Sequence, residues 1–367
     1  MRILLAHNST YYPSHGGGDK SNRLLMEALA ARGHTVRVVS RVERFGAADH
    51  ERLLRELGQR AVPADTGEAG VVRLNLGGVD VRVLTTNPNI RAYFSQQIAE
   101  VDPDVIITST DDPGQLLFDL AVKAPRARVV YLVRATIAVP FGPESSMRNP
   151  AKTESLRQAD GVVCVSHYVA GYVRKWSGMD AIHLPISLLD SVPEYPWLGS
   201  FDNPYIAMVN PCAVKGIGIF VELSRRFPQQ EFAAVPTWGT TSDDLAELSR
   251  HPNVRILQPF DNIDDLLRHT RVMLVPSVWA EARSRLLMES MSRGVPVIAS
   301  DIGGLHEAHL GVDYLIPVNP ILHYKATVDA NMVPVAEVPP QDIAPWEAAL
   351  RRLITDRAHY DQLSAES

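Results

Sequence analysis

The chain has 367 residues, of which 46% are hydrophobic and 21% are charged, a composition typical of folded globular domains. Its length predicts two domains, and its 36 Lys and Arg against 42 Asp and Glu give a net charge of -6, without the basic excess of a nucleic-acid-binding protein. No apolar run is long enough to cross a membrane. The segment from Met1 to Ala6 is too short for the apolar core of a signal peptide and runs directly into polar residues 7–9, so it predicts a first buried strand and a cytoplasmic protein.

Two cysteines occur, Cys164 and Cys212. They lie far apart in the sequence, without the Cys-x-x-Cys or Cys/His spacing of a zinc site. Neither a disulfide framework nor a zinc site is therefore expected, and both residues are predicted to be buried free thiols.

Short β-branched segments alternate with amphipathic segments in the first half of the chain. This pattern predicts a parallel sheet with crossover helices. The apolar face of residues 19–32 and the glycine that follows at Gly33 predict a helix there. The predicted strands are residues 2–6, 35–40, 79–84, 104–108, 128–133 and 161–165.

A proline-rich segment without periodicity, residues 185–204, predicts a linker, and a second αβ series follows it. We therefore expect two doubly wound α/β domains, residues 1–190 and 191–367, facing an interdomain cleft. The second series has predicted strands at residues 205–209, 231–235, 254–257, 271–275 and 296–299, and predicted helices at residues 216–226, 242–249, 262–269 and 285–293.

One segment does not fit the alternation. Residues 317–345 are rich in proline and have no clear period. A loop of this length in a folded domain is expected to be a functional flap, a binding loop or partly disordered.

A glycine-rich turn, residues 14–21, follows the first predicted strand. It is not a P-loop, because Asp19 separates Gly18 from Lys20. It is not a dinucleotide fingerprint either, because Ser21 stands where the third glycine is required. The turn is therefore either structural or a place where backbone amides and a helix N-terminus approach an anion.

Two glutamates follow the predicted strand 271–275. Glu281 lies in the loop beyond the strand's carboxyl end, and Glu289 lies on the next predicted helix, which begins near Ser284. The helix N-terminus suits a diphosphate, Glu289 suits ribose hydroxyls, and Glu281 suits a second polyhydroxylated or cationic group. The Gly303–Gly304 turn is expected to be a second backbone segment that an anion can approach.

The segment from Glu281 through Glu289 to Glu307 resembles the donor-site signature of the retaining nucleotide-sugar glycosyltransferases of family 4, which have the GT-B fold. The glycine turn, residues 31–36, residues 159–166 and residues 214–216 occur in the family's order, so the resemblance covers about the whole chain. It implies a donor-binding C-terminal domain and an acceptor-binding N-terminal domain.

The resemblance also implies a role for each matching residue. Lys215 would neutralise the donor diphosphate, Glu281 would hold hydroxyls of the donor sugar, and Glu289 would hold the ribose. Lys215, Glu281 and Arg285 are thus the expected catalytic residues. Phosphate oxygens would accept hydrogen bonds from the amides of Ser284, Arg285, Gly17 and Gly18.

The sequence departs from the family at three places. Asn210 occupies the position where an arginine often binds the diphosphate, and Arg285 is the expected replacement for that cation. The loop that often reads Glu-Gly-Phe-Gly reads Glu-Ala-Arg-Ser from Glu281 to Ser284. Arg134 stands near the place of a histidine close to the reacting centre, and is a candidate acceptor contact together with Asp111.

These residues predict transfer of a sugar, with retention at the anomeric carbon, from a nucleoside diphosphate sugar to a hydroxyl or amine. No metal and no cofactor are expected, because Asp102 and Asp104 precede a strand and are interpreted as a turn. The acceptor is expected to be a soluble small molecule or secondary metabolite, since no basic amphipathic helix points to a membrane. A sugar-nucleotide epimerase of the same fold, or a non-catalytic nucleotide-sugar-binding subunit, remain the alternatives.

Overall fold

Buried strands rich in valine and isoleucine organise both halves of the computed structural model, which describes residues 1–14, 16–42, 44–185 and 194–367. The chain divides into two units, Met1–Ser187 and Leu188–Ser367. The boundary predicted at residue 190, and part of the predicted linker, lie outside the described residues.

The first unit contains an eight-stranded sheet. Its strands are β1 (Arg2–Ala6), β2 (Thr35–Arg41), β3 (Val71–Leu76), β4 (Val79–Leu84), β5 (Val105–Ser109), β6 (Arg128–Val133), β7 (Gly161–Cys164) and β8 (Ile182–His183). Its α-helices are α1 (Gly17–Ala31), α2 (Ala47–Gln59), α3 (Ile90–Val101), α4 (Phe118–Ala121), α5 (Pro150–Leu156) and α6 (His167–Ser177).

The strand order of this sheet is β3-β4-β2-β1-β5-β6-β7-β8. The chain runs outward from β1 in both directions, so the predicted doubly wound arrangement is confirmed, with its topological switch point between β1 and β5. One strand differs from the prediction of parallel pairing: β3 pairs antiparallel to β4 at the sheet edge. The connection Gly77–Gly78 explains this, because both glycines have positive φ and form a two-residue hairpin turn.

The second unit contains a six-stranded sheet and a separate hairpin. Its strands are β9 (Tyr205–Val209), β10 (Glu231–Val235), β11 (Val254–Ile256), β12 (Thr270–Val275), β13 (Val297–Ser300), β14 (Leu315–Ile316), β15 (Tyr324–Val328) and β16 (Pro334–Ala336). Its α-helices are α7 (Ile217–Arg226), α8 (Ser242–Leu248), α9 (Asp264–Leu267), α10 (Arg285–Met291), α11 (Leu305–His309), α12 (Ala344–Thr355) and α13 (Arg357–Glu366).

This sheet has the order β11-β10-β9-β12-β13-β14, and all its pairs are parallel. Its switch point lies between β9 and β12, where loops from adjacent strands leave the carboxyl edge in different directions. Apolar clusters cover both faces of the sheet, one containing Phe220, Phe232 and Trp346, the other Met273 and Leu287. Strands that are buried on both faces have continuous apolar sequences, and this is why the sequence predicts their positions.

The proline-rich segment is not simply a loop. It contains the antiparallel hairpin β15–β16, and Asn331 in its turn donates a hydrogen bond from Nδ2 to the carbonyl oxygen of Thr240, at 3.0 Å. Most hairpin residues are exposed on both faces, so the strands lack the alternation by which a half-buried strand is recognised.

Candidate functional site

The turn that carries Lys215 packs closely against the end of β12. The 3-10 helix Ala213–Lys215 is followed by Gly216, whose φ of 81° lies in the left-handed region. A Cβ atom at Gly216 would lie 1.9 Å from the carbonyl oxygen of Pro276. Glycine is therefore required here, and its absence of a side chain lets Lys215 reach the loop that follows β12.

Lys215 forms an ion pair with Glu281, between Nζ and Oε1. Ser277 donates a hydrogen bond from Oγ to the same carboxylate oxygen at 2.6 Å, and the Lys215 ammonium lies 4.9 Å from the centre of the Trp279 ring. Burial alone would raise the pKa of Glu281, which is only 7% exposed, but Lys215 and the hydrogen bonds lower it below its ordinary value. Glu281 is therefore a carboxylate held beside a cation at the switch point.

The Gly303–Gly304 turn fixes the backbone of the same loop. The amide of Gly304 donates a hydrogen bond to the carbonyl oxygen of Glu281 at 2.6 Å. A Cβ atom at Gly304 would lie 1.9 Å from the carbonyl oxygen of Ala282, and one at Gly303 would lie 2.5 Å from that of Glu281. Close contact between two backbone segments therefore explains why glycine is needed at positions 303 and 304. The sequence pattern indicates only an anion-binding role for this turn and does not predict this contact.

Helix α10 begins as the sequence predicted. Ser284 is its N-cap, and its Oγ accepts a hydrogen bond from the amide of Leu287 at 3.2 Å. Within the helix, Arg285 Nε donates to Glu289 Oε1 at 2.6 Å, and both side chains are buried. The four-residue spacing places the two charges on one helix face, so the predicted diphosphate cation and the predicted ribose ligand form one ion pair.

Asn210 follows β9 with a φ of 59°, a conformation that asparagine tolerates better than most residues. Its Oδ1 accepts hydrogen bonds from the amide of Gly239 at 2.9 Å and from Thr240 Oγ1 at 3.4 Å. The buried side chain of Asn210 therefore ties together the loops that follow β9 and β10, beside the turn that carries Lys215.

The glycine turn of the first unit opens helix α1. Gly16 is the N-cap, and its amide donates a hydrogen bond to Asp19 Oδ2 at 3.0 Å. Gly17 and Gly18 are exposed, and a Cβ atom at Gly18 would meet nothing within 4 Å. The backbone at Gly17 and Gly18 is thus accessible, and its assignment to phosphate oxygens stays a prediction.

A buried histidine links this turn to Asp111. His7 follows β1 and is fully buried, with Nε2 3.2 Å from Asp19 Oδ1 and Nδ1 2.9 Å from Asp111 Oδ2. Burial would lower the pKa of His7, but the two carboxylates raise it to about 9. Burial would likewise raise the pKa of Asp111, yet His7 and Ser109 lower it. The contacts with Asp19 and Asp111 therefore favour the positively charged form of His7.

Arg134 joins the same cluster from the end of β6. Its amide donates to Thr110 Oγ1 at 3.0 Å, and its guanidinium donates to the carbonyl oxygen of Gly18 at 3.3 Å and to Asn22 Oδ1. Burial lowers the pKa of Arg134 to about 10. The structure thus brings Gly18, Asp111 and Arg134 together, as neighbours in one network at the carboxyl edge of the sheet.

His7 and Asp19 are the members of this network that sequence reasoning missed. A lone histidine after a buried strand matches no spacing rule, and Asp19 was considered only as a residue that breaks the P-loop pattern. The available signal was position: a polar residue directly after the central strand lies at the switch point, where ligands of such sheets bind.

Two sequence families match the chain. Residues 16–185 match the family described as "Glycosyl transferase 4-like domain", and residues 204–356 match "Glycosyl transferases group 1". Together they span nearly the whole chain, in the order expected for the two units. The chain belongs to the GT4-like glycosyltransferases of the GT-B type.

Solved structures of the same fold resemble this glycosyltransferase along its whole length. Sucrose-phosphate synthase from Thermosynechococcus elongatus has a TM-score of 0.68 at 18% identity, covering 99% of this chain and 92% of that one. HepE from Anabaena, solved in complex with UDP-glucose, has a TM-score of 0.66 at 14% identity, with the same coverage of 99% and 92%. TarM has a TM-score of 0.67 at 9% identity, covering 100% and 94%.

A relative by sequence is an uncharacterized 42.6 kDa protein in the cps region of Klebsiella pneumoniae. It is 22% identical over 352 residues, covering 84% of this glycosyltransferase and 87% of the relative. Across the described parts of the chain, no helix combines the length and apolar character needed to span a membrane.

Proposed function

We propose that this glycosyltransferase moves a sugar from a nucleoside diphosphate sugar to a hydroxyl group of a small-molecule acceptor, with retention of the anomeric configuration. The observation that carries the proposal is the pair of ion pairs beside the switch point of the second sheet, Lys215–Glu281 and Arg285–Glu289. They provide two cations for a diphosphate and two carboxylates for sugar hydroxyls.

Lys215 is the proposed ligand of the leaving diphosphate. Its side chain is 21% exposed and that of Glu281 is 9% exposed, so the ammonium is the more accessible group of this pair. A cation fixed in a partly dehydrated site stabilises the negative charge that develops on the diphosphate as the glycosidic bond breaks. Lys215 and Arg285 would together take this role, without a metal ion.

Glu281 and Glu289 are the proposed ligands of the donor's two sugars. Glu281 lies on the loop next to Lys215, where it would accept hydrogen bonds from hydroxyls of the transferred sugar. Glu289 lies one to two turns further along α10, where it would accept from the ribose. Its carboxylate already has the orientation set by Arg285 Nε, which restricts its rotation.

Retention follows from the proposed arrangement of the leaving group. The departing diphosphate oxygen stays on the face of the sugar that the acceptor attacks and takes the proton of the incoming hydroxyl. Catalysis then needs stabilisation of the diphosphate rather than a side chain acting as general base. The structure of HepE in complex with UDP-glucose supports the choice of donor class, because that protein shares the fold.

Nucleotide binding tests the donor assignment. Thermal unfolding in the presence of UDP, GDP, ADP and TDP should identify one nucleotide that stabilises the protein, by about 2.7 kcal/mol at 100 times its dissociation constant. Lys215→Ala should remove most of this stabilisation. Lys325→Ala, an exposed lysine on the hairpin, is the matched control and should keep it.

Product analysis tests the reaction. The matching nucleotide sugars would be incubated with a panel of hydroxylated small molecules, and the anomeric configuration of the product would be determined by NMR. An α-linked product from an α-linked donor is expected. Inversion would refute the retaining mechanism, and epimerised donor or tight nucleotide binding without turnover would indicate the epimerase or the non-catalytic subunit.

A further inference from the structure

A cluster of charged side chains lies at the switch point of the first sheet. It consists of His7, Asp19, Asp111 and Arg134, which come from the carboxyl end of β1, the start of α1, and the loops after β5 and β6. These charged groups are largely shielded from solvent, and their contacts connect the glycine turn to the interior of the unit.

We propose that His7 is a positioning residue, which holds the glycine turn Gly16–Gly18 in its ligand-binding conformation by clamping Asp19 between its ring and the amide of Gly16. This inference rests on the proposed function, since the ligand of the turn is taken to be the donor diphosphate. A buried residue would thus determine the conformation of the exposed backbone at Gly17 and Gly18, which it does not contact itself.

The geometry supports the clamp. Asp19 uses both carboxylate oxygens: Oδ1 lies 3.2 Å from His7 Nε2 and accepts from Ser9 Oγ at 2.8 Å, while Oδ2 accepts from the amide of Gly16 at 3.0 Å. On its other side, His7 is held by Asp111, which also accepts a hydrogen bond from the amide of Asn8 at 3.0 Å. The clamp therefore runs from Asp111 through His7 and Asp19 to Gly16.

The charge of His7 sets the strength of the clamp. Nε2 faces Asp19 Oδ1 and also lies 2.9 Å from Ser9 Oγ, while Nδ1 faces Asp111 Oδ2 and also lies 3.0 Å from Asn22 Nδ2. The two carboxylates raise the pKa of His7 to about 9. Loss of the ring's positive charge removes its attraction to Asp19, so the clamp is strongest below this pH and weakens as the pH rises through about 9.

Other titratable groups surround His7. Asp19 faces it from α1 and Asp111 from the loop after β5, and Arg134 acts on Asp111. The ring of Tyr11 packs edge-on, with ring centres 5.7 Å apart, and burial raises the pKa of Tyr11 far above its ordinary value. Tyr11 therefore stays protonated while His7 titrates.

Asp111→Asn is the sharpest test, because Asp111 contacts His7 and the structure gives it no contact with Gly16–Gly18. The substitution keeps the shape of the side chain and removes its charge. The pKa of His7 should then fall by about 1 unit or more, since an opposite charge within hydrogen-bond distance is lost. Asp19→Asn is the second variant, and His323→Gln, an exposed histidine, is the control.

Two measurements would be made at pH 6.5 to 10 on the wild-type protein and each variant. The first is hydrogen exchange of the backbone amides in residues 16–24, without ligand, compared between proteins at the same pH. The second is the dissociation constant of the nucleoside diphosphate found by thermal unfolding. In the wild type, affinity should fall as the pH rises through the pKa of His7, because the charged ring holds Asp19 more strongly than the neutral ring does.

In Asp111→Asn the same loss of affinity and the same increase in exchange should occur at lower pH, by about 1 unit or more. The inference is overturned if Asp111→Asn and Asp19→Asn leave the exchange of residues 16–24 unchanged at every pH, or if His323→Gln has the same effect. If the wild type binds no nucleotide but the exchange shifts as expected, the clamp stands and the proposed donor fails.

Discussion

Removing Lys215 separates its contribution to stability from its contribution to catalysis. In the Lys215→Ala variant, the Glu281 carboxylate should stay almost fully buried without its cation, while the hydroxyl of Ser277 still donates to it. Breaking a buried ion pair by removing one partner costs about 3 to 5 kcal/mol, and we expect about 3 kcal/mol here because Lys215 is partly exposed.

The double variant Lys215→Met with Glu281→Gln removes the unpaired charge. Its stability should return to within about 1 kcal/mol of the wild type, because a neutral amide can keep the hydrogen bond from Ser277. Turnover should be lost in both variants, since neither has the cation that stabilises the diphosphate. Stability that recovers without activity would show that the pair has two separable roles.

The pH dependence provides an independent check with a defined sign. In the wild type the pKa of Glu281 is lowered on folding, so its stabilisation is present above the unfolded pKa and is lost as the pH falls through the folded pKa. In Lys215→Ala, burial without the cation raises that pKa. The penalty of the variant should therefore be largest at neutral pH, should shrink as the pH falls, and should disappear only below the lowered folded pKa of the wild type.

Thermal unfolding of the second unit measures these differences, with Lys325→Ala as control. A loss of about 3 kcal/mol in a unit of this size lowers the melting temperature by roughly 6 to 12 °C. A Lys215→Ala variant as stable as the wild type at pH 7, or a double variant as unstable as the single one, would refute the assignment of Lys215 as the partner that keeps Glu281 charged.

Three further predictions concern both units. Glu289→Gln should weaken binding of the free nucleoside diphosphate by about 1.5 to 3 kcal/mol in isothermal titration calorimetry, and unchanged affinity would exclude the ribose contact. Gly304→Ala should reduce both turnover and melting temperature, because its Cβ would lie 1.9 Å from a carbonyl oxygen, whereas Gly218→Ala, in a helix with open space around it, should be harmless. Raising the pH from 7 to 10 should lower the free energy of unfolding of the first unit by about 2.5 kcal/mol, because the pKa of His7 is raised on folding and its stabilisation is lost as the pH rises through about 9; denaturant titrations that show no such loss would contradict this.

Much of the sheet architecture was predictable because parallel strands are buried on both faces. The predicted strands 205–209 and 231–235 coincide with β9 and β10, and the predicted strand 104–108 differs from β5 by one residue at each end. Strand β3 was missed although Gly77–Gly78 separates it from β4, because the alternation of sheet and helix favoured a parallel interpretation. Its antiparallel edge position depends on this turn.

The candidate site was predictable where position along the chain determines it. Glu281, Ser284 and Glu289 lie after β12, at the helix cap and on α10, as the sequence indicated. Which charges pair was not predictable, because the contact of Lys215 with Glu281 joins residues 66 positions apart and depends on how two loops pack. The assignment of these residues to donor groups, and of Asp111 and Arg134 to the acceptor, stays a prediction.

The contact between Gly304 and the loop that carries Glu281 bears on how this loop can diversify. The loop is anchored through its own carbonyl groups, by the amide of Gly304 and by the space that two glycines leave. Anchoring of this kind does not depend on the side chain at Arg283, which is only partly buried. Position 283 can therefore change in directed evolution while Glu281 stays in place, which makes it the natural position at which to vary donor preference. Ala282 is buried, so a larger side chain there would have to displace its neighbours.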